Sequence, residues 1–183
     1  MRLENKVAII TGAARGMGAD EARLFGREGA TVVVADMNDD EGKKVESEIA
    51  EAGGKAMFVH VDVTSEENWQ ELVQQTIANF GRLDILVGNA AILGDLSPVG
   101  HIRPEVWQRA YDLNVTANYR LIRSLDPLLR RSDAGRAIFL TSGATHALPP
   151  YWALYCSTKA ALEAIAKIYA QETRKTKVRV NLV

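Results

Sequence analysis

The chain has 183 residues, of which 47% are hydrophobic and 25% charged, and its 22 Lys and Arg nearly balance its 23 Asp and Glu. Such a composition is ordinary for a globular protein and indicates neither a nucleic-acid surface nor attraction to an anionic membrane. We expect a cytoplasmic protein without an internal disulfide, because no run reaches the roughly 18 apolar residues of a membrane helix, no signal peptide is evident and there is one cysteine.

Short apolar, β-branched runs alternate with helical patterns along the whole chain. This alternation predicts right-handed β–α–β crossovers and therefore a Rossmann-type, doubly wound parallel sheet in a three-layer α/β/α arrangement. No linker or repeat interrupts the pattern, so we expect a single domain over residues 1–183. The predicted strands are 7–11, 31–36, 55–61, 83–87, 136–141 and 177–183. The predicted helices are 16–28, 39–52, 64–80, 103–131 and 153–173.

Local sequence signals refine the predicted ends of two of these helices. Thr64 and Glu67 have capping-box spacing, which predicts that Thr64 caps the third helix. In the fourth helix Pro104 suits the first turn, whereas Pro127 is expected to bend or end the helix early.

A glycine-rich segment, residues 11–18 (Thr-Gly-Ala-Ala-Arg-Gly-Met-Gly), joins the first predicted strand to the first predicted helix. Gly12 permits a tight turn, Gly16 allows a pyrophosphate to approach the backbone, and Gly18 allows close packing of helix on strand. The free amides of the helix start would bind the anion. Asp36, which ends the second strand, is placed to accept hydrogen bonds from an adenosine ribose. These features predict a dinucleotide site, with an ordinary turn as the alternative.

Two residues near this segment favour different dinucleotides. Arg15 could contact the 2′-phosphate of NADP, whereas the carboxylate of Asp36 would repel that phosphate. We therefore predict NAD as the cofactor, with NADP as the alternative. No metal is expected, because the three histidines, His60, His101 and His146, lack metal-ligand spacing.

A tyrosine and a lysine lie one helical turn apart in the last predicted helix, at Tyr155 and Lys159. A free phenol has a pKa of ~10, but a nearby ammonium favours its ionised form and makes it usable in acid–base catalysis. Ser142 follows the fifth strand, at the sheet edge where open α/β folds bind ligands. Asn114 is a poor helix former within a predicted helix, which indicates a specific hydrogen-bonding role.

The sequence resembles the short-chain dehydrogenase/reductase family. The glycine segment has that family's Thr-Gly-x-x-x-Gly-x-Gly form, and Asn114, Ser142, Tyr155 and Lys159 match its catalytic tetrad. The resemblance implies that Tyr155 donates or accepts the proton and that Lys159 assists it and binds the nicotinamide ribose. It also implies that Ser142 orients the carbonyl or alcohol, and that Asn114 supports a proton-relay water.

The resemblance extends to the loops that follow the third and fourth strands. Asp62 and Val63 are similar to the family's adenine-contacting pair, and Asn89 and Ala90 keep the middle of its Asn-Asn-Ala-Gly stretch. Gly88 replaces the first Asn of that stretch, and alanine replaces its final glycine. The residues assigned to the cofactor are Gly12, Arg15, Gly16, Met17, Gly18, Asp36, Asp62, Val63, Asn89, Ala90, Tyr155 and Lys159.

Three further side chains between Ser142 and Tyr155, namely His146, Tyr151 and Trp152, either line a substrate pocket or belong to an ordinary loop. Cys156 directly follows Tyr155, so on a helix it points about 100° away, which favours a packing role over a nucleophilic one.

The resemblance implies an oxidoreductase that transfers a hydride between NAD(P)(H) and a secondary alcohol or ketone. It also implies a homodimer or homotetramer formed through the fourth and fifth predicted helices, with a small-molecule substrate and no nucleic-acid or membrane partner. The alternative is a dinucleotide-binding regulatory or interaction protein without turnover. In the resembled family the sixth strand leads into a Pro-Gly turn, a substrate-covering segment and a seventh strand, so we expect residues 1–183 to be C-terminally incomplete.

Overall fold

The computed structural model describes residues 1–183 and is organised around one six-stranded sheet. Its strands are β1 (Val7–Thr11), β2 (Thr31–Asp36), β3 (Lys55–His60), β4 (Ile85–Gly88), β5 (Arg136–Phe139) and β6 (Arg179–Leu182). They pair in the order β3-β2-β1-β4-β5-β6, and every pairing is parallel. This arrangement confirms the predicted doubly wound sheet. The order reverses between β1 and β4, where a crevice opens at the carboxyl ends of the strands.

Seven α-helices accompany the sheet: α1 (Gly16–Arg27), α2 (Asp39–Glu51), α3 (Glu66–Phe80), α4 (Pro104–Tyr111), α5 (Ala117–Arg131), α6 (Ala144–Ala147) and α7 (Ala153–Glu172). Alternate strand residues point to opposite faces, so Ile9 and Ile10 of β1 belong to two separate buried clusters. The Ile9 cluster includes side chains of α3, α5 and α7, and the Ile10 cluster those of α1 and α2. Helices therefore cover both faces, as predicted. None of these helices combines the length and the apolar character needed to cross a membrane.

The predicted N-terminal cap of α3 is wrong by one residue. Ser65, not Thr64, caps the helix, because its hydroxyl accepts a hydrogen bond from the Asn68 amide at 3.3 Å. The Thr64 hydroxyl instead donates to a carboxylate oxygen of Asp62 at 2.7 Å. Asp62 lies in the loop after β3, and its carboxylate competes for the Thr64 hydroxyl that the capping box would have used. The same hydrogen bond holds the Asp62 side chain at the edge of the sheet.

The predicted helix 103–131 contains a feature that the sequence pattern did not reveal. A π-helical turn, Asp112–Thr116, separates α4 from α5 and contains Asn114, which is completely buried. Pro127 lies inside α5, so the expectation that it ends this helix early is wrong. Pro127 is exposed, which leaves the carbonyl one turn earlier access to water. The four leucines that α5 buries hold the helix against the core up to Arg131.

Candidate active site

A cleft of about 840 Å³ opens along the carboxyl ends of the strands. Every residue predicted to bind the cofactor lines this cleft except Gly18. Of the four predicted catalytic residues, Ser142, Tyr155 and Lys159 line the cleft, whereas Asn114 lies behind its wall. The fold therefore brings the glycine-rich segment and the Tyr–Lys pair, separated by more than a hundred residues in the chain, to one site.

The glycine-rich segment has a backbone that side chains would disturb. Gly12 and Gly16 adopt left-handed conformations, with φ of +65° and +57°. No atom lies within 4 Å of the position that a Cβ of Gly16 would occupy, so its backbone is open to the cleft. A Cβ on Gly18 would come within 2.3 Å of the Gly12 carbonyl oxygen and 2.5 Å of Asn89 Nδ2. Gly18 thus allows α1 to start directly against the loop, which directs the free amides of α1 at an anion in the cleft.

Asn89 and Thr11 join the loop after β4 to the glycine-rich segment. The Thr11 hydroxyl accepts the amides of Asn89 and Ala90 at 3.1 and 3.2 Å. In return, Asn89 Nδ2 donates to the carbonyl oxygens of Thr11 and Gly12 at 2.9 and 3.1 Å. This network lies at the point where the strand order reverses. The sequence did not single out Thr11 for this role, although the residue opens the glycine motif.

Asp36 is fixed at the carboxyl end of β2 by backbone amides. One carboxylate oxygen accepts the Ala14 amide at 3.0 Å and the other accepts the Asn38 amide at 3.0 Å. The side chain is thereby held at the rim of the cleft, where Arg15 also lies. An anionic group and a cationic group therefore share the end of the cleft that lies over β1 and β2.

Tyr155 and Lys159 lie one turn apart on α7, as predicted, and both face the cleft. Lys159 Nζ donates to the Leu140 carbonyl at 2.7 Å and lies 5.7 Å from the centroid of the Tyr155 ring. Burial lowers the pKa of Lys159 to about 8, because removal from water disfavours the charged ammonium. The ammonium of Lys159 and the phenol ring of Tyr155 therefore lie side by side at this end of the cleft.

The turn that carries Ser142 is bonded to the same helix. Ser142 Oγ accepts the Ala144 amide at 3.2 Å. The Thr145 hydroxyl lies 2.8 Å from the Ser142 carbonyl and 2.7 Å from a carboxylate oxygen of Glu163, and so can donate to either. Glu163 is one turn beyond Lys159, and this spacing is the signal by which sequence reasoning could have found it.

Asn114 connects two walls of the site instead of lining it. Its Oδ1 accepts the Ile92 amide at 2.8 Å, and its Nδ2 donates to the Ile92 carbonyl at 2.8 Å and to the Thr158 hydroxyl at 3.0 Å. Both amide hydrogens are therefore engaged within the protein. In addition, the Asn114 carbonyl accepts a hydrogen bond from Asn118 Nδ2 at 2.8 Å. The side chain holds the loop after β4 against α7.

Gly88, the departure from the resembled motif, lies where a side chain would not fit. A Cβ there would come within 2.5 Å of Asn118 Oδ1 and 3.0 Å of the Phe139 ring. An amide from α5 thus occupies the space beside β4 that a residue at position 88 would otherwise fill.

Trp152 lines the cleft, whereas His146 and Tyr151 do not. Both of those side chains are exposed, so neither lines a substrate pocket. The ordinary-loop interpretation fits Tyr151, whereas His146 lies in the short helix α6. Cys156 is buried, and its thiol donates to the Ala144 carbonyl, which agrees with the predicted packing role.

Comparisons with known proteins bear on this site. The family model described as short chain dehydrogenase matches residues 6–183. The chain is 37% identical over 182 residues to the cyclopentanol dehydrogenase of Comamonas sp. (strain NCIMB 9872), which covers 100% of this chain and 72% of that protein. It is 33% identical to the oxidoreductase YciK of Escherichia coli (strain K12), over 99% of this chain and 73% of that protein. The crystal structure of a metagenomic short-chain oxidoreductase in complex with NADP has a TM-score of 0.94 at 32% identity, covering 100% of this chain and 82% of that one.

Proposed function

The chain belongs to the short-chain dehydrogenase/reductase family, a family of oxidoreductases, and on that premise we propose that it transfers a hydride between a nicotinamide dinucleotide and a secondary alcohol or ketone. One observation carries this proposal: a single cleft has an anion-binding glycine segment at one end and Ser142, Tyr155 and Lys159 at the other. We further propose that residues 1–183 act as one dinucleotide-binding and catalytic domain, because elements from β1 to α7 form the cleft.

The residues of the cleft fit a dinucleotide. The open backbone at Gly16 and the start of α1 would hold the pyrophosphate, and Asp36 would accept hydrogen bonds from the adenosine ribose. Asp62 and Val63 line the cleft where an adenine would lie, beyond the end of β3. Near β5, Lys159 would bind the second ribose. The nicotinamide, when bound, supplies the hydride donor or acceptor.

The chemistry of the side chains follows from their placement. In alcohol oxidation the phenolate oxygen of Tyr155 takes the proton of the substrate hydroxyl while the carbinol carbon gives up its hydride, and ketone reduction runs in reverse. The Ser142 hydroxyl donates to the substrate oxygen and orients it. The ammonium of Lys159 stabilises the phenolate electrostatically. Asn114 keeps the loop after β4 in place and is a positioning residue.

Turnover distinguishes this proposal from a regulatory protein that binds the dinucleotide without chemistry. Incubation of the protein with NAD and a secondary alcohol should produce the absorbance of reduced nicotinamide, and NADH with the matching ketone should consume it. NADH binding by the full-length protein with no turnover across a broad panel of ketones would favour the regulatory protein.

The carboxylate at Asp36 predicts a preference for NAD over NADP. A 2′-phosphate placed beside this fixed anion would be repelled, so we expect NADH to bind more tightly than NADPH by about tenfold or more. Asp36→Ala should narrow that gap by improving NADPH binding, as measured by fluorescence titration. Tighter NADPH binding by the unmodified protein would contradict this prediction and would assign Arg15 to the phosphate.

Apolar side chains exposed on α5 and α7 support the expected homodimer or homotetramer. Tyr119 on α5 is 52% exposed and Ile168 on α7 is 59% exposed. We propose that these helices pair across a twofold axis, since closed symmetry is usual in homo-oligomers. Light scattering at micromolar concentration should give at least the mass of a dimer. Ile168→Lys should lower the measured mass, because it places a charge in the proposed interface. Leu24→Lys, on the exposed side of α1, is the control. A monomeric unmodified protein would disprove this assembly.

A further inference from the structure

The end of the cleft over β4 and β5 has a largely apolar wall, unlike the charged opposite end. Beside the hydroxyls of Ser142 and Tyr155 the cleft is lined by four apolar side chains: Ile92, Leu93, Leu113 and Trp152. The acidic and arginine side chains that line the cleft lie at or just beyond the carboxyl ends of β1, β2 and β3, at its other end. The one lysine or arginine that lines the cleft at this end is Lys159, and its ammonium already donates to the Leu140 carbonyl. Among residues 1–183, a negatively charged substrate group would therefore find only Lys159 at this end, and the proposed function already assigns that ammonium to the phenolate and the ribose.

Trp152 is the largest member of this wall and lies against the proton-transferring residue. Its ring is 6.1 Å from that of Tyr155, centroid to centroid, at an interplanar angle of 74°, an edge-to-face contact. The indole is only half-buried, so part of its surface remains free to contact a ligand in the cleft.

The backbone around Trp152 fixes where the indole lies. Its carbonyl accepts the Cys156 amide at 2.9 Å, which begins α7. The preceding residue, Tyr151, has a left-handed φ of +74°, a costly conformation for a non-glycine residue. The Tyr151 carbonyl accepts the Ser97 amide at 3.1 Å, so the loop after β4 helps to hold this conformation. The indole is thus anchored from both loops that border the substrate end.

We propose that Trp152 determines substrate specificity, and that the substrate is an uncharged secondary alcohol or ketone with hydrocarbon bulk beside the reacting carbon; this inference rests on the proposed function. An aromatic wall recognises such bulk by apolar contact, where each methylene can change the rate by roughly 10- to 200-fold. A carboxylate on the same substrate would lose its hydration at the apolar wall without gaining a partner.

Three alcohols with the same reacting group test this specificity: propan-2-ol, cyclohexanol and trans-4-hydroxycyclohexanecarboxylate. We expect kcat/KM for cyclohexanol to exceed that for propan-2-ol by at least about tenfold, and that for the carboxylate by about 100-fold. Trp152→Ala should lower kcat/KM for cyclohexanol by about tenfold and leave that for propan-2-ol within about threefold. Trp152→Phe, which keeps an aromatic wall, should restore most of the loss. His146→Ala, which removes an exposed ring outside the cleft, should leave kcat/KM for both substrates unchanged.

Two outcomes would overturn this inference while the proposed function stands. One is an equal loss for propan-2-ol and cyclohexanol in Trp152→Ala, with NADH affinity and thermal unfolding unchanged. Another is oxidation of the carboxylate as efficiently as cyclohexanol. If the unmodified protein oxidises none of the three alcohols and reduces none of the matching ketones, the proposed function itself fails, and the specificity of Trp152 fails with it.

Discussion

Tyr155→Phe is expected to reduce kcat by ~10²–10⁴-fold, the usual contribution of general acid–base catalysis, while NADH affinity changes little. The substitution removes only the phenol oxygen. The ring that remains can still contact Trp152 edge-to-face and can still lie beside the Lys159 ammonium. Because those contacts persist, the loss of kcat reports on the proton-transfer step and not on the packing of the ring. Steady-state kinetics on a ketone panel measures kcat, and fluorescence titration measures the NADH dissociation constant.

The neighbouring tyrosine provides a matched control for this experiment. Tyr151→Phe removes a hydroxyl from an exposed ring outside the cleft and should keep the turnover of the unmodified protein. Near-normal turnover in Tyr155→Phe, in a protein that is otherwise active, would show that another group transfers the proton. A large loss in both variants would point to disturbance of the turn before α7.

Lys159→Met is expected to have two opposite effects, a large loss of activity and a gain in stability of the unliganded protein. Turnover should fall by ~10²-fold or more, because the phenolate loses its adjacent cation, and NADH should bind more weakly because the same ammonium is proposed to hold the ribose. The gain in stability arises because the buried ammonium is costly: burial lowers the pKa of Lys159 to about 8. Methionine fills similar space without charge.

The sign and pH range of the stability difference follow from that pKa. Below about pH 8 the lysine is charged in both folded and unfolded chains, so the folded protein bears the whole cost of burying the charge. Between about 8 and 10.5 the unfolded chain holds the proton while the folded chain releases it, so the unmodified protein gains stability as pH rises. A lowering of the pKa from 10.5 to about 8 corresponds to about 3 kcal/mol at pH 7. Allowing ~1 kcal/mol for the lost hydrogen bond to Leu140, we expect Lys159→Met to be more stable by about 2 kcal/mol at pH 7. Above pH 10 the buried lysine is neutral, so the stability gain of Lys159→Met should disappear.

Denaturant unfolding of both proteins from pH 7 to 10.5 checks this prediction. Lys167→Met is the matched control, since Lys167 is exposed on the same helix and pairs with Glu163 at the surface. It should leave turnover and NADH affinity unchanged, and its stability difference from the unmodified protein should not follow the pH profile expected for Lys159. The prediction fails if Lys159→Met is less stable than the unmodified protein at pH 7, or if the difference in their free energies of unfolding does not change with pH. Either result would show that interactions within the protein offset the cost of burying the Lys159 charge.

The architecture was predictable because the determining signals are local. Continuous apolar strands such as Val7–Thr11 and Thr31–Asp36 match their predicted bounds, since a strand buried on both faces has no need for alternation. The Gly12–Gly18 spacing and the one-turn spacing of Tyr155 and Lys159 are likewise properties of short segments. Parallel topology then places the ends of these segments at one edge of the sheet, which is why the cleft could be expected from the motifs.

Other features depended on groups distant in the chain, which no local pattern shows. Asn114 was recognised as unusual, but its partners, Ile92 and Thr158, lie 22 and 44 residues away, and they decide that it joins two walls behind the cleft. A side chain with several possible hydrogen-bond partners takes the one that tertiary packing brings within reach.

The substrate end shows the same division between sequence and structure. His146, Tyr151 and Trp152 were equivalent candidates in the sequence, because all three lie between Ser142 and Tyr155. The left-handed conformation of Tyr151, held in part by the Ser97 amide, turns the chain so that only Trp152 reaches the cleft. Residue types and spacing by themselves determined the sheet, the glycine segment and the Tyr–Lys pair. The tertiary structure decided which neighbouring side chains surround that pair, because their orientation depends on backbone turns and hydrogen bonds made between distant loops.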